Sequence, residues 1–73
     1  MDAMSYKGMV DASNIINTLT TTPRSAGDTY KASETISNVI VDGQTINAKP
    51  GDLIIASGND NNIVWDVVPS GND

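Results

Sequence analysis

Asn38-Val39-Ile40-Val41-Asp42-Gly43-Gln44-Thr45-Ile46-Asn47 reads as two β-prone runs joined by Asp-Gly. A two-residue hairpin turn whose twist suits paired strands needs positive φ at both central positions, which Asp-Gly supplies. The turn fixes the register. Val39 falls opposite Ile46, and Val41 opposite Gln44. Val39, Val41, Ile46 and Ala48 then share a face, the candidate core face, because side chains alternate along a strand.

On the C-terminal side, Pro50-Gly51-Asp52 reads as a turn and Leu53 to Ser57 as a strand. The unbroken run Leu53 to Ala56 predicts burial on both faces, or nearly so. Gly58 to Asn62 reads as a polar loop. Ile63 to Val68 returns as the last strand, with Ile63, Trp65 and Val67 alternating with Val64, Asp66 and Val68.

On the N-terminal side, Tyr6 to Val10 reads as a first short strand with Gly8 as a weak point. Asp11 can cap a helix, since its carboxylate accepts from the first free amides. Ala12, Ile15, Ile16 and Leu19 fall near one helical face. Thr20 to Thr22 are weak helix formers and Pro23 ends any helix, so the helix is predicted over Ser13 to Leu19. Ser25-Ala26-Gly27-Asp28 is a turn, and Thr29 to Ser33 a strand. Gly27 to Ser33 echoes Gly51 to Ser57: both read Gly-Asp, three residues, Ala-Ser. A Gly-Asp turn opening each of two strands accounts for the echo.

The expectation is a mostly β fold: one small domain of about six short, mainly antiparallel strands with one short N-terminal helix. Residues 1–68 form the module. Residues 69–73, Pro-Ser-Gly-Asn-Asp, read as a linker or the start of a following segment. A chain of 73 residues has room for one domain. At that size a lone core is marginal, and small domains usually add a disulfide, a metal or a partner. There is no Cys and no His. Disulfides are therefore excluded, and zinc, which prefers sulfur and nitrogen ligands, is not expected.

The formal charge is -5, and Lys7, Arg24, Lys31 and Lys49 are scattered. Nucleic-acid binding requires a basic patch to neutralise phosphates, and the sequence has none. No apolar run approaches the ~20 residues of a membrane span. Met1-Asp2-Ala3-Met4 lacks the basic and apolar regions of a secretory signal, so cytosolic synthesis is expected.

Catalysis has little to work with, because the commonest acid-base and nucleophilic groups are missing. Asp28, Asp42 and Asp52 are each explained by a turn. Asn59-Asp60-Asn61-Asn62 offers oxygen ligands at close spacing but lacks the acidic alternation and bidentate Glu of a calcium loop. A solvated hairpin loop accounts for it. Tyr6, Tyr30 and Trp65 are the only aromatics. Aromatic platforms hold sugars, yet in a small β domain aromatics are more often core. The candidate ligand or assembly contacts are Tyr30, Trp65, Val64, Val68, Asn59 and Asp60. No catalytic, cofactor-binding or metal-ligating residue is assigned.

Taken in order, Tyr6-Lys7-Gly8-Met9-Val10, then Ala26-Gly27-Asp28-Thr29-Tyr30-Lys31-Ala32-Ser33, then Lys49-Pro50-Gly51-Asp52-Leu53-Ile54-Ile55-Ala56, then Val64-Trp65-Asp66-Val67-Val68 resembles a module of bacteriophage tail fibre and head fibre proteins. The Asn38 to Asn47 hairpin and the lack of long shaft repeats depart from that pattern. The resemblance implies a non-enzymatic structural role in the virion, commonly as a homotrimer, with other virion proteins as partners. A module that anchors or joins a longer fibre is the leading expectation. A carbohydrate- or host-surface-binding module is the alternative, motivated by the loop Gly58 to Asn62 beside Trp65. An acidic mimic of nucleic acid ranks last, since the carboxylates sit in turns. The sequence also predicts a homo-oligomer, most simply a trimer, because Val64 and Val68 lie opposite the Trp65 face and require cover. The competing expectation is that the short helix covers that second face within one chain.

Overall fold

The computed structural model describes residues 4–71. Met1 to Ala3 and the last two residues of the predicted linker lie outside the described residues. Six strands and one helix run in the order β1 (Ser5–Val10), α1 (Ile15–Thr20), β2 (Asp28–Ala32), β3 (Ile36–Val41), β4 (Gln44–Ala48), β5 (Leu53–Asn59) and β6 (Asn62–Val68). They form a four-stranded sheet, β1-β2-β5-β6, and a separate two-stranded sheet, β3-β4. Every pairing is antiparallel except β1 with β2, which is parallel.

The β3-β4 hairpin has the predicted register, Val39 opposite Ile46 and Val41 opposite Gln44. Asp42 and Gly43 adopt φ of 51° and 78°, as the turn requires. Val41, Ile46 and Ala48 are buried, Val39 is half-buried, and Ile40 on the other face is exposed. The strand begins earlier than the sequence suggests, at Ile36. A bulge separates the Ile36–Ala48 pair from the Val39–Ile46 pair. Asn38, at φ 53°, occupies that bulge and its amide N–H donates to Asn47 Oδ1 at 2.8 Å.

The helix begins at Ile15 and not at Ser13. Asp11, expected to cap the helix, holds the turn before it instead: the N-cap is Asn14, which makes no side-chain capping bond. Asp11 Oδ1 accepts from the Ser13 and Asn14 amides at 2.9 and 3.0 Å and from Ser13 Oγ at 2.6 Å. Those bonds hold residues 12–14 in a turn, and regular helix follows it. Arg24 fastens the other end: Nη1 donates to the Leu19 carbonyl at 2.8 Å and lies 2.6 Å from Asp42 Oδ2 in the hairpin turn. Ile15 and Leu19 point inward, while Ile16 is 51% exposed.

The Gly-Asp echo turns out to be a local pseudo-two-fold axis. β2 and β5 pair with Tyr30 opposite Ile54 at the centre. Ser25 to Asp28 and Lys49 to Asp52 are equivalent turns, in which Asp28 N–H donates to Ser25 O at 3.1 Å and Asp52 N–H to Lys49 O at 3.0 Å. Each aspartate returns the bond through its side chain: Asp28 Oδ2 accepts from Ser25 N–H and Asp52 Oδ2 from Lys49 N–H, both at 3.0 Å. The turns are cross-linked to the opposite strand, since Gly27 N–H donates to Ala56 O at 2.7 Å and Gly51 N–H to Ala32 O at 2.8 Å. Even the serines correspond: Ser33 Oγ donates outward to Val10 O and Ser57 Oγ to Val64 O. The symmetry stops there, because β1 joins β2 parallel whereas β6 joins β5 antiparallel.

One core fills the space between the four-stranded sheet and the layer made of α1 and the hairpin. Val10, Ile15, Leu19, Ile36, Val41, Ile46, Ile54 and Trp65 all belong to it. Each fully buried Ile, Leu or Val there contributes about 1.5–3 kcal/mol relative to exposure. Both the helix and the hairpin lie on this inner face. The short helix therefore does not cover the second face of the sheet, and that expectation is corrected.

Two further boundaries shift. The predicted loop Gly58 to Asn62 is mostly strand, with Asn59 paired to Asn62 and only Asp60-Asn61 left as the turn. Leu53 and Ile55 are half-buried, so the strand is deeply buried only on the side of Ile54 and Ala56. The first part of the predicted linker lies against the body, where Ser70 N–H donates to Asp52 Oδ1 at 3.0 Å.

Candidate functional site

The outer face of the four-stranded sheet follows from the strand registers. Tyr6, Thr29, Ile55 and Asp66 lie side by side across β1-β2-β5-β6, and Met9, Lys31, Leu53 and Val68 form the next row. Ser57 and Val64 continue the face beyond. Residues directly opposite across paired strands project to the same side. Tyr6, Met9, Val64 and Val68 are 60%, 55%, 46% and 42% exposed, so no element among the described residues shields them. Thr29, Ser57, Lys31 and Asp66 are the polar members of the face; the two charged ones, Lys31 and Asp66, have no ion-pair partner among the described residues.

Val64 and Val68 thus sit where the sequence placed them, in company that it did not single out: Tyr6 and Met9 on β1. Tyr30 and Trp65 lie on the inner side. Their rings are 6.1 Å apart at an interplanar angle of 59°, a tilted aromatic pair. Trp65 is 2% exposed, and its Nε1 has no hydrogen-bond partner among the described residues. It is a core residue and not an accessible platform. Tyr30 is half-buried; burial, and then the Asp28 charge, push its hydroxyl pKa up.

Asn59 and Asp60 are engaged in the fold. Asn59 Oδ1 accepts from Asn61 N–H at 3.1 Å within the turn, and Asp60 Oδ1 accepts from Ala26 N–H at 3.0 Å across to the Gly27 turn. The candidate residues therefore divide: Val64 and Val68 outside, Tyr30 and Trp65 inside, Asn59 and Asp60 in a turn contact. Nothing brings all six together.

Asp11 and Asp52 are held charged. Ser13 Oγ and the Asn14 amide lower the Asp11 pKa, and the Lys49 and Ser70 amides lower that of Asp52. Such groups accept hydrogen bonds and hold turns; at neutral pH they have no proton to give. No three His, Cys, Asp or Glu side chains among the described residues cluster to hold a metal ion. No helix among them is long and apolar enough to cross a membrane.

Sequence reasoning missed Gln44. Its side-chain amide grips the backbone of Trp65 twice: Nε2 donates to Trp65 O, and Oε1 accepts from Trp65 N–H at 2.9 Å. This clasp joins the hairpin to the outer edge of β6. The only signal was a polar residue beside the hairpin turn, on the face otherwise made of Val39, Val41 and Ile46. No family model, curated protein or solved structure matches this chain.

Proposed function

We propose that this chain is a non-enzymatic assembly module of a bacteriophage virion, a fibre anchoring or joining domain that packs its open sheet face against further copies of itself. The uncovered apolar face carries this reading. Four strands about 4.8 Å apart, each contributing about five residues at 3.3 Å, outline a face of roughly 300 Å². Within it Tyr6, Met9, Val64 and Val68 are exposed together, and the main apolar patch of a small domain is often its functional contact surface.

A second copy is the fitting occupant because the charges on the face are self-complementary. Lys31 on β2 and Asp66 on β6 form no ion pair among the described residues, and neighbouring copies can pair one with the other. The ordered motifs from Tyr6 to Val68 support the virion setting and favour a trimer. A sugar-binding reading gains nothing from the geometry, since Trp65 is buried and Asn59 and Asp60 are engaged in turns.

Sedimentation of wild type and Val64→Asp tests the proposal. Wild type should run above monomer mass. The variant should run as a monomer with its strand circular dichroism retained, because Val64 projects away from the core. Wild type that stays monomeric across micromolar concentrations refutes the assembly reading, and absence of the chain from purified particles refutes the virion setting.

A further inference from the structure

The two halves of the open face are unlike each other. On β6, Val64, Asp66 and Val68 stand in line on the outer side, and all three are exposed. Same-side residues follow one another along a strand at about 6.6 Å. β6 therefore presents a ridge: two apolar knobs with a carboxylate between them. Across β5, the strands β1 and β2 carry Tyr6, Met9 and Lys31. β2 begins only at Asp28, whereas β5 runs on to Asn59. The stretch that β2 leaves empty is a notch of about 340 Å³, bordered by Met4, Gly27, Ile55 and Ser57. The Ser57 hydroxyl is turned to the Val64 carbonyl at 3.0 Å, so the rim of the notch is mainly apolar.

Ridge and notch match in spacing and in charge. When β6 of a neighbouring copy is laid along β2 in the same direction, both strands advance by the same step. Val64 in the notch beside Gly27 then brings Asp66 level with Thr29 and Val68 level with Lys31. The Lys31 ammonium, on its flexible four-carbon stem, reaches Asp66 from there, and the stem itself lies along Val68. The other charges nearby are already engaged. Lys7 lies 3.8 Å from Asp28, and Asp60, past Gly27 on the side away from Lys31, accepts from Ala26 N–H at 3.0 Å. Lys31 is thus the charge that the Asp66 carboxylate meets.

Resting on the reading that the open face packs copies together, we propose that this contact is head-to-tail. The β6 ridge of one copy seats on the β1–β2 half of the next, with Val64 in the notch and Asp66 against Lys31. Each contact uses one ridge and one notch and leaves the other ridge and the other notch free. It therefore builds a ring or a row of copies, whereas a contact between identical patches stops at a pair. A trimer requires a contact of this kind, and the unlike halves of the face supply it.

Sedimentation of two variants of the whole chain, each spoiled on one half, tests the proposal. Val64→Asp loses the ridge and keeps the notch and Lys31. Lys31→Glu loses the receiving half and keeps the ridge. Both positions are exposed, so circular dichroism should stay that of wild type; if Val64→Asp loses its strands, Val64→Gln takes its place. Alone, each variant should associate at least about tenfold more weakly than wild type. Mixed in equal amounts, they should form a complex of two chains and nothing larger, because one sound ridge meets one sound notch and the remaining halves oppose like charges. In a contact between identical patches every mixed pair carries both lesions. A mixture that stays at monomer mass while wild type assembles would therefore overturn the head-to-tail contact and leave self-assembly standing. Lys31→Glu that assembles as wild type does, or a mixture that grows beyond two chains, would overturn it as well. Wild type that stays monomeric would instead overturn the assembly reading beneath it.

Discussion

Gln44→Glu changes one atom type in the clasp and so isolates its chemistry. In the native protein the side-chain amide donates to Trp65 O and accepts from Trp65 N–H. A carboxylate keeps the acceptor and loses the donor, leaving the Trp65 carbonyl facing a negative oxygen. A lost hydrogen bond costs about 0.5–1.5 kcal/mol, and a partly buried group left without its partner about 1–3 kcal/mol. The two effects overlap, so the variant should lose about 2–3 kcal/mol near neutral pH. For a domain of this size that lowers Tm by about 10–20 °C. Acid should reverse the loss. A protonated carboxyl again offers a donor and an acceptor, so the folded state favours the protonated form and raises the pKa of the introduced group. A folded-state pKa above the unfolded one means that stability is gained as pH falls through it. Melts followed by far-ultraviolet circular dichroism, taken as the difference from wild type at each pH, should show the gap narrowing towards about pH 4. Taking the difference cancels the shared behaviour of Asp11 and Asp52. Gln44→Ala, which lacks both groups, should show a gap that does not respond to pH. A Gln44→Glu gap that is constant or widens in acid would refute the two-handed clasp.

Gly58→Ala should be markedly worse than Gly43→Ala. Both glycines have positive φ, but a Cβ at Gly58 would lie 2.5 Å from the Asn62 carbonyl oxygen, whereas one at Gly43 meets nothing within 4 Å. The left-handed conformation costs either variant about 1–2 kcal/mol, and only Gly58→Ala must also move backbone; equal melting points would count against the close approach. Trp65→Ala should cost about 3–5 kcal/mol and erode the sheet signal before any binding is altered; a stable, fully folded variant would show that Trp65 is not core. Asp11 and Asp52 have depressed folded-state pKa values, so their stabilisation is present above the ordinary carboxylate range and is lost as pH falls through the folded values. Wild type should therefore melt lower in acid, and Asp52→Asn should flatten that slope; an unchanged slope would remove Asp52 from the account.

The hairpin register, the strands and the inward set of β6 were legible in the sequence because each is dictated by neighbours a few residues away. Asp42-Gly43 can make its turn wherever it lies, and Ile63, Trp65 and Val67 alternate whichever sheet they join. Even the two Gly-Asp turns were visible as local chemistry. Tertiary structure alone decided that these turns bond to each other's strands, that α1 and the hairpin share the inner side, and that β1 brings Tyr6 and Met9 beside Thr29 and Lys31, in the same rows as Ile55 and Leu53. These outcomes depend on pairings between residues far apart in sequence, such as Tyr6 with Thr29 and α1 against β3. Alternation names two faces for a strand and does not say which will be covered. The choice here follows from volume. One six-residue helix and one hairpin suffice to cover a single side of the four-stranded sheet, so Val64 and Val68 remain in the open.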